Sequence, residues 1–167
     1  MLVPNHSSVS DVIMLLAALP QFKFVTKAVL FMIPPIGWHL RLAGNIRAGT
    51  GKEDDGPRVL STCAKWLKLG CHVLWFPEGH RSSDGEVKRF KTGPFVAAQQ
   101  AGAKVVPVAI SGTPNVIKNK ALRYNFKGIR VQITLLEPFE VGEDARAAAS
   151  KARELVARQV AVQRATE

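Results

Sequence analysis

Apolar and polar positions along this chain alternate between helical spacing and strand-like runs. Helical spacing predicts helices over residues 8–19, 27–33, 57–69, 94–100 and 144–162. Alternating or wholly apolar runs predict strands over residues 21–26, 71–76, 104–110 and 129–136, with a brief strand at the start of the polar loop 44–56. Strands that alternate with helices indicate an α/β fold, with a largely parallel mixed sheet flanked by helices.

Length and cysteine content narrow the class of protein. A chain of 167 residues is long enough for one domain with a full core, and no repeat or low-complexity linker divides it. We therefore expect residues 1–167 to form a single domain. Cys63 and Cys71 are the only cysteines and form no C-x-x-C pair, so a reducing compartment is expected rather than a disulfide framework or a zinc knuckle.

The charge of the chain points to an anionic partner. It carries 23 basic and 13 acidic residues, a net charge of +10. This excess suits nucleic acid, a phosphate-bearing ligand or an acidic membrane surface, and does not choose among them. The most apolar stretch, residues 12–37, is interrupted by prolines and lysines, so we predict no spanning helix, although the stretch could rest on a bilayer. The start lacks the basic region of a signal peptide.

The stretch "NHSSVSD" combines a histidine with an aspartate at a predicted strand-to-helix turn. If His6 lies before the helix and Asp11 in its first turn, the carboxylate can bind one ring nitrogen and leave the other as a base. The alternative is that Ser8 and Asp11 only cap the helix and that His6 is an ordinary surface residue. Spacing alone favours the capping interpretation.

The stretch "FPEGHRS" follows a second predicted strand. Gly79 permits a tight turn, and Arg81 supplies a planar guanidinium group suited to phosphate. Glu78 cannot bind phosphate directly, but it could orient Arg81 or accept a hydrogen bond from a hydroxyl. The alternative is a strand-to-loop turn with solvated charges, and the sequence favours neither.

Other polar clusters carry less information. Lys88, Arg89 and Lys91 suit a solvated loop better than a phosphate site. Bases and aromatics interleave over residues 123–127, a weak indication of nucleic-acid binding. The remaining histidines lack metal-ligand spacing, and His72 is predicted to be structural within a buried strand. The glycine-rich loops of nucleotide-binding proteins are absent from the sequence.

Together, the two motifs resemble the glycerolipid acyltransferase family. "NHSSVSD" matches N-H-x-x-x-x-D, and "FPEGHRS", about 70 residues later, resembles F-P-E-G-T-R-S. "PPIGWHLRLAGNI" is similar to the stretch before the family's second motif, and "FKTGPFVAAQQAGAKVVPVAISG" to its F-K-x-G segment and V-P-V strand. The resemblance extends from Pro4 to about Gly112. It implies a glycerol-3-phosphate acyltransferase-like fold.

The resemblance implies transfer of a fatty acyl group from acyl-coenzyme A or acyl carrier protein to a lysophospholipid hydroxyl. The acceptor it favours is 1-acyl-sn-glycerol-3-phosphate, which would give phosphatidic acid. His6 would be the general base and Asp11 its orienting residue. No metal and no cofactor beyond the acyl donor is implied. The residues assigned to substrate binding in this way are Glu78, Gly79, Arg81, Arg47 and Pro107, with Pro107 on the acyl-donor side.

Three departures from the family pattern qualify this assignment. The second motif usually ends in an arginine where this chain has Thr50, so Arg47 is the nearer substitute and Arg41 the poorer one. His80 stands where the family has threonine. Only four residues precede "NHSSVSD", whereas the family has a strand and often membrane-binding helices there. We therefore expect a domain that lacks the family's N-terminal segment.

The leading hypothesis is a peripheral enzyme on a cytoplasmic or plastid stromal membrane face. Its expected partners are the acceptor lipid, the acyl donor, which includes acyl carrier protein, and the membrane surface. The first alternative is the same chemistry on another lysolipid, such as one with a larger headgroup or a lyso-ornithine lipid. The second is a non-catalytic lipid-binding domain. Nucleic acid is not an expected partner.

Overall fold

The computed structural model describes residues 1–49, 55–82, 84–116 and 128–166. These residues contain six strands, β1–β6, at Leu2–Pro4, Phe22–Lys27, Ile46–Ala48, His72–Leu74, Val106–Ser111 and Gln132–Leu135. They also contain five α-helices, α1–α5, at Ser10–Ala18, Ile36–Leu42, Gly56–Lys68, Gly93–Ala101 and Ala145–Ala165. Short 3-10 turns occupy Ala28–Met32 and Thr113–Asn115.

The strands form one sheet in the order β3-β2-β4-β1-β5-β6. The first five are parallel, and only β6 runs antiparallel to its neighbour β5. The predicted α/β class with a largely parallel mixed sheet is thus confirmed. Because parallel strands end at the same edge, the residues that follow β1, β2 and β4 gather there.

Helices cover both faces of the sheet. On one face a large cluster joins α3, α4 and α5 through buried side chains that include Cys63, Phe95 and Val156. On the other face α1 packs with Leu15 against Leu74 and Val108. Burial on both faces explains why strands such as 71–76 and 104–110 show apolar runs rather than strict alternation.

The ends of two helices follow the sequence signals. Asp144 caps α5, since its Oδ1 accepts hydrogen bonds from the backbone N–H groups of Arg146 and Ala147 at 2.7 and 3.1 Å. Gly102 ends α4 in the left-handed conformation, with φ +62°.

Several local predictions need correction. Residues 36–42, for which no helix was predicted, form α2, and the predicted helix over 27–33 is a 3-10 turn at Ala28–Met32. His72 is exposed rather than buried, because it is the first residue of β4 and lies at the amino edge of the sheet. Thr50 and the basic–aromatic run 123–127 lie outside the described residues.

Candidate active site

The two sequence motifs meet where the neighbouring strands β1 and β4 end. The backbone N–H of His6 donates to Oε1 of Glu78 at 2.8 Å, and the N–H of Ser82 donates to the carbonyl of His6 at 2.8 Å. Both polar groups of the His6 main chain are therefore held by the turn that follows β4. The parallel pairing of β1 with β4 brings together residues that are 72 positions apart.

Asn5 fixes the end of β1 on its other side. Its side-chain Nδ2 donates to the carbonyl of Ile110 at 3.0 Å, and its Oδ1 accepts from the N–H of Ile110 at 2.8 Å. The side-chain amide thus makes the same two hydrogen bonds to Ile110 that a paired strand residue would make with its backbone. It keeps the end of β1 attached to β5 where the chain leaves the sheet. This is a physical role for the asparagine of "NHSSVSD", to which the sequence analysis assigned none.

His6 and Asp11 form a short hydrogen bond. His6 Nδ1 lies 2.7 Å from Oδ2 of Asp11, which is fully buried. The same oxygen accepts the N–H groups of Ser7 and Ser8 at 2.8 and 2.9 Å. Asp11 thus binds the imidazole and also the backbone of the turn that precedes α1, so the interpretation of Asp11 as a helix cap alone is wrong.

The tautomer of the neutral imidazole follows from this partner. A carboxylate accepts, so in the neutral ring Nδ1 carries the proton and Nε2 has the lone pair. The His6 side chain is 17% exposed. Its ring stacks on Phe76 with a centroid separation of 4.0 Å and an interplanar angle of 26°. The ring is thus held by Asp11 and Phe76 while part of it remains accessible.

Glu78 is a buried carboxylate whose two oxygens both bind the backbone. Its Oε1 accepts from His6, and its Oε2 accepts from the N–H of Lys88 at 3.2 Å, with the residue 1% exposed. Burial raises the pKa of Glu78, while the two backbone hydrogen bonds oppose that rise. The family resemblance places Glu78 among the substrate-binding residues and gives it a role in shaping the loop. The hydrogen bonds observed join it to the backbone of His6 and of Lys88, and they stabilise the loop.

The turn after Glu78 requires glycine and carries positive charge. Gly79 has φ +76°, and a Cβ placed there would lie 2.8 Å from Nζ of Lys91. The backbone N–H of Lys91 donates to the carbonyl of Pro77 at 2.9 Å. Arg81 is exposed on the same turn. The exposed side of the turn therefore presents the Arg81 guanidinium group with the Lys91 ammonium group nearby.

Two predicted site residues lie away from His6. Arg47 is exposed on β3, three strand positions from β1. At ~4.8 Å per strand, this separation is about 14 Å. Pro107 is buried within β5, opposite Val3. The structure thus gathers His6, Asp11, Glu78, Gly79 and Arg81, and does not bring Arg47 or Pro107 to them.

Sequence reasoning missed three contributors to this arrangement. Phe76 and Ser82 flank the "PEGHR" core of the second motif, and their proximity to His6 depends on the pairing of β1 with β4. Lys91 was assigned to a solvated loop. The only sequence signal for its position over Gly79 is the glycine itself, which leaves room for the lysine side chain.

The described residues contain neither a cluster of metal ligands nor a helix suited to spanning a membrane. No group of three or more His, Cys, Asp or Glu side chains is arranged to hold a metal ion within residues 1–49, 55–82, 84–116 and 128–166. Over the same residues, no helix has both the length and the apolar character needed to cross a membrane.

Comparisons with known proteins identify a family model and relatives that match this chain. The family model "Acyltransferase" matches residues 1–111. The chloroplastic 1-acyl-sn-glycerol-3-phosphate acyltransferase of Arabidopsis thaliana is 37% identical over 115 residues, which are 69% of this chain and 32% of that protein. The lyso-ornithine lipid O-acyltransferase of Pseudomonas aeruginosa is 37% identical over 111 residues, 65% of this chain and 42% of that protein.

A solved structure matches almost the whole chain. The crystal structure of the 1-acyl-sn-glycerophosphate acyltransferase of Thermotoga maritima aligns with a TM-score of 0.79 and 27% identity, over 98% of this chain and 66% of that one. This chain spans about a third of the length of the Arabidopsis relative. The family match over residues 1–111, with the shared fold, shows that the chain belongs to the acyltransferase family.

Proposed function

We propose that this protein transfers a fatty acyl group from acyl-coenzyme A or acyl carrier protein to the free hydroxyl of a lysophospholipid. The observation that carries the proposal is the 2.7 Å contact between His6 Nδ1 and Asp11 Oδ2 at the carboxyl edge of the sheet. That contact leaves Nε2 of a partly exposed ring as a proton acceptor. General-base catalysis of acyl transfer to a hydroxyl needs such a group.

In the proposed reaction, His6 Nε2 takes the proton of the acceptor hydroxyl as its oxygen attacks the thioester carbonyl. The tetrahedral intermediate collapses with cleavage of the carbon–sulfur bond, and the thiolate leaves. The imidazolium returns the proton to the thiolate, which gives the free thiol and the new ester. Asp11 stabilises the imidazolium while it exists and keeps the ring in the required tautomer. The acyl group passes directly to the acceptor, without an acyl-enzyme.

The acceptor that the chain's chemistry favours is 1-acyl-sn-glycerol-3-phosphate, with phosphatidic acid as product. Arg81 offers a planar pair of donors to the phosphate, and the Lys91 ammonium group adds charge at Gly79. The names of relatives such as the Arabidopsis and Thermotoga proteins support this choice.

A run of exposed apolar side chains follows the carboxyl end of β2. It begins at the 3-10 turn after β2 and continues through α2; its members, the 29–42 apolar surface, are Val29, Met32, Ile33, Ile36, Trp38 and Leu42. No Asp or Glu occurs between Asp11 and Glu53, while Lys27 and Arg41 accompany the apolar residues. Apolar groups with basic neighbours and a tryptophan suit an anionic membrane interface. The proposal therefore includes peripheral binding to a cytoplasmic or plastid stromal membrane face.

A second acceptor class is supported by a specific observation. The Pseudomonas relative, named for a lyso-ornithine lipid, matches this chain at the same 37% identity as the Arabidopsis relative. The departure at Thr50 removes the arginine expected in the second motif. A zwitterionic lyso-ornithine lipid would place less demand on a phosphate-binding arginine, so it is the alternative acceptor.

The test is thiol release from acyl-coenzyme A in mixed micelles, with lysophosphatidate and lyso-ornithine lipid as acceptors. We expect activity in the wild type, loss of it in His6→Ala, and retention in His72→Ala, since His72 is exposed at the opposite edge of the sheet. Circular dichroism would establish that each variant is folded. Activity that persists in His6→Ala would refute the mechanism. A folded wild type that binds vesicles without thiol release would instead identify a non-catalytic lipid-binding domain.

A further inference from the structure

One peptide group connects the C-terminal helix α5 to the turn that holds His6. The carbonyl of Val87 accepts two hydrogen bonds from Arg153, from Nε at 3.2 Å and from Nη2 at 3.0 Å. The N–H of Lys88, which belongs to the same peptide group, donates to Oε2 of Glu78. Because the peptide group is planar, α5 and Glu78 together fix its orientation from opposite sides.

The connection continues from Glu78 to the candidate base. Oε1 of Glu78 accepts the N–H of His6, so three successive contacts join Arg153 to His6. A donor on the Val87 carbonyl polarises the peptide group and strengthens the hydrogen bond that its N–H makes. A cation at that carbonyl therefore supports a buried carboxylate whose own pKa is raised by burial.

Helix α5 can act as a rigid support for this contact. Its Ala152 and Val156 are fully buried in the same cluster as Val87, and Asp144 caps its first turn. Near its other end, Arg164 donates to the carbonyl of Gly85. The helix thus contacts the 85–88 segment at two points about three turns apart. It lies beyond residues 1–111, the part that the family model matches.

We propose that Arg153 is a positioning residue that keeps the Val87–Lys88 peptide aimed at Glu78 and thereby sets the main-chain position of His6. The catalytic part of this proposal rests on the proposed acyl transfer, whereas the structural part does not. Arg153 acts through the peptide and Glu78, without touching the substrate. Its loss lowers the rate of the chemical step more than it weakens acceptor binding.

The test compares four variants of the full chain. Arg153→Ala removes the donors, and Arg153→Lys restores one of them. Arg158→Ala removes a neighbouring exposed base on α5. Val160→Ala, at a buried position of α5, destabilises the helix without altering Arg153. For each variant we would measure kcat, acceptor KM, the melting temperature and amide hydrogen exchange by NMR.

In Arg153→Ala we expect kcat to fall about tenfold with little change in KM. A fall of this size is typical of residues that act on a site through a chain of contacts. Arg153→Lys should recover part of the loss, and Arg158→Ala should match the wild type. Val160→Ala should lower the melting temperature while keeping kcat at temperatures well below it. Exchange should accelerate at the amides of Lys88 and His6 in Arg153→Ala, and more widely in Val160→Ala.

Two results would overturn the proposal. The first is that the amides of Lys88 and His6 exchange at the wild-type rate in Arg153→Ala. The second is that Val160→Ala loses as much kcat as Arg153→Ala when the two are compared at the same fraction folded. If the wild type releases no thiol, the proposed function fails, and the exchange measurements still decide whether Arg153 positions the turn.

Discussion

Nδ1 of His6 lies 2.7 Å from Oδ2 of Asp11, although the two residues are five positions apart and could not pair along one helix. The contact forms because His6 precedes α1, so the chain turns between the two residues. The oxygen that binds the ring also accepts the N–H groups of Ser7 and Ser8. The conformation of the turn before α1 and the orientation of the imidazole therefore depend on the same atom.

Asp11→Asn tests this shared role. The amide oxygen takes the place of Oδ2, because that atom accepts the N–H groups of Ser7 and Ser8, so Nδ1 still donates to it. The neutral amide no longer supplies the charge that stabilises the imidazolium. We expect kcat to fall by about tenfold or more from the loss of that charge, with a lower melting temperature. Steady-state kinetics and thermal unfolding measure the two effects. Glu154→Gln, an exposed change on α5, is the control, and an Asp11→Asn enzyme within a factor of three of wild type would contradict the assignment.

Glu78 should give the folding stability a distinctive pH dependence. Its folded-state pKa lies above the value of about 4.3 for a free glutamate, so the folded protein binds the proton more tightly. The free energy of unfolding contributed by Glu78 therefore decreases as the pH rises from about 4.3 through the raised pKa. Urea unfolding of wild type and Glu78→Gln at a series of pH values measures this contribution.

The free energy of unfolding of the wild type minus that of Glu78→Gln should decrease as the pH rises through that window. Asp84 acts with the opposite sign, because the hydrogen bonds from Lys88 and Ser82 lower its pKa. That contribution is present in both proteins and cancels in the difference. A difference that is constant with pH would show that Glu78 does not titrate in the way its burial requires.

Gly79→Ala should affect both stability and acceptor binding. A side chain at φ +76° costs roughly 1–2 kcal/mol, and its Cβ would displace Lys91 Nζ from a position 2.8 Å away. We expect a lower melting temperature and a several-fold higher acceptor KM. Gly70→Ala is the matched control, because Gly70 has φ +79° and no atom within 4 Å of the added Cβ. Equal changes in KM in both variants would mean that strain alone is responsible.

The 29–42 apolar surface should contribute to vesicle binding. Met32 and Leu42 are 76% and 90% exposed, so the double change to serine costs the fold little. Loss of two side chains that would enter the bilayer should reduce partitioning onto anionic vesicles at least tenfold, since burial of each is worth roughly 1.5–3 kcal/mol. Co-sedimentation measures this partitioning. The control is the double serine variant of Leu69 and Leu135, which are also exposed, and an equal loss there would argue against a specific surface.

The prediction of secondary structure failed where tertiary contacts override local signals. α2 directly follows two prolines, which were interpreted as the end of the preceding helix, and it contains Gly37, which disfavours a helix interior. The helix forms because Gly37 packs against the backbone of Phe31, where an added Cβ would lie 2.1 Å from the carbonyl oxygen. By contrast, the predicted helix 57–69 has a regular apolar stripe and a proline at its start, and the structure confirms it as α3.

The sequence by itself determined the α/β class, because that depends on local periodicity along the chain. Spacing alone favoured a helix cap at Asp11, and the resemblance of the two motifs to a known family predicted the His6–Asp11 pair. Only the tertiary structure decided that Glu78 binds the main chain of His6, that Arg47 lies three strands away, and that Arg153 reaches Val87. These contacts depend on the strand order, in which β4 lies between β2 and β1, and on the packing of α5 against the sheet. Local periodicity specifies which residues face a core, but not which strands become neighbours within it.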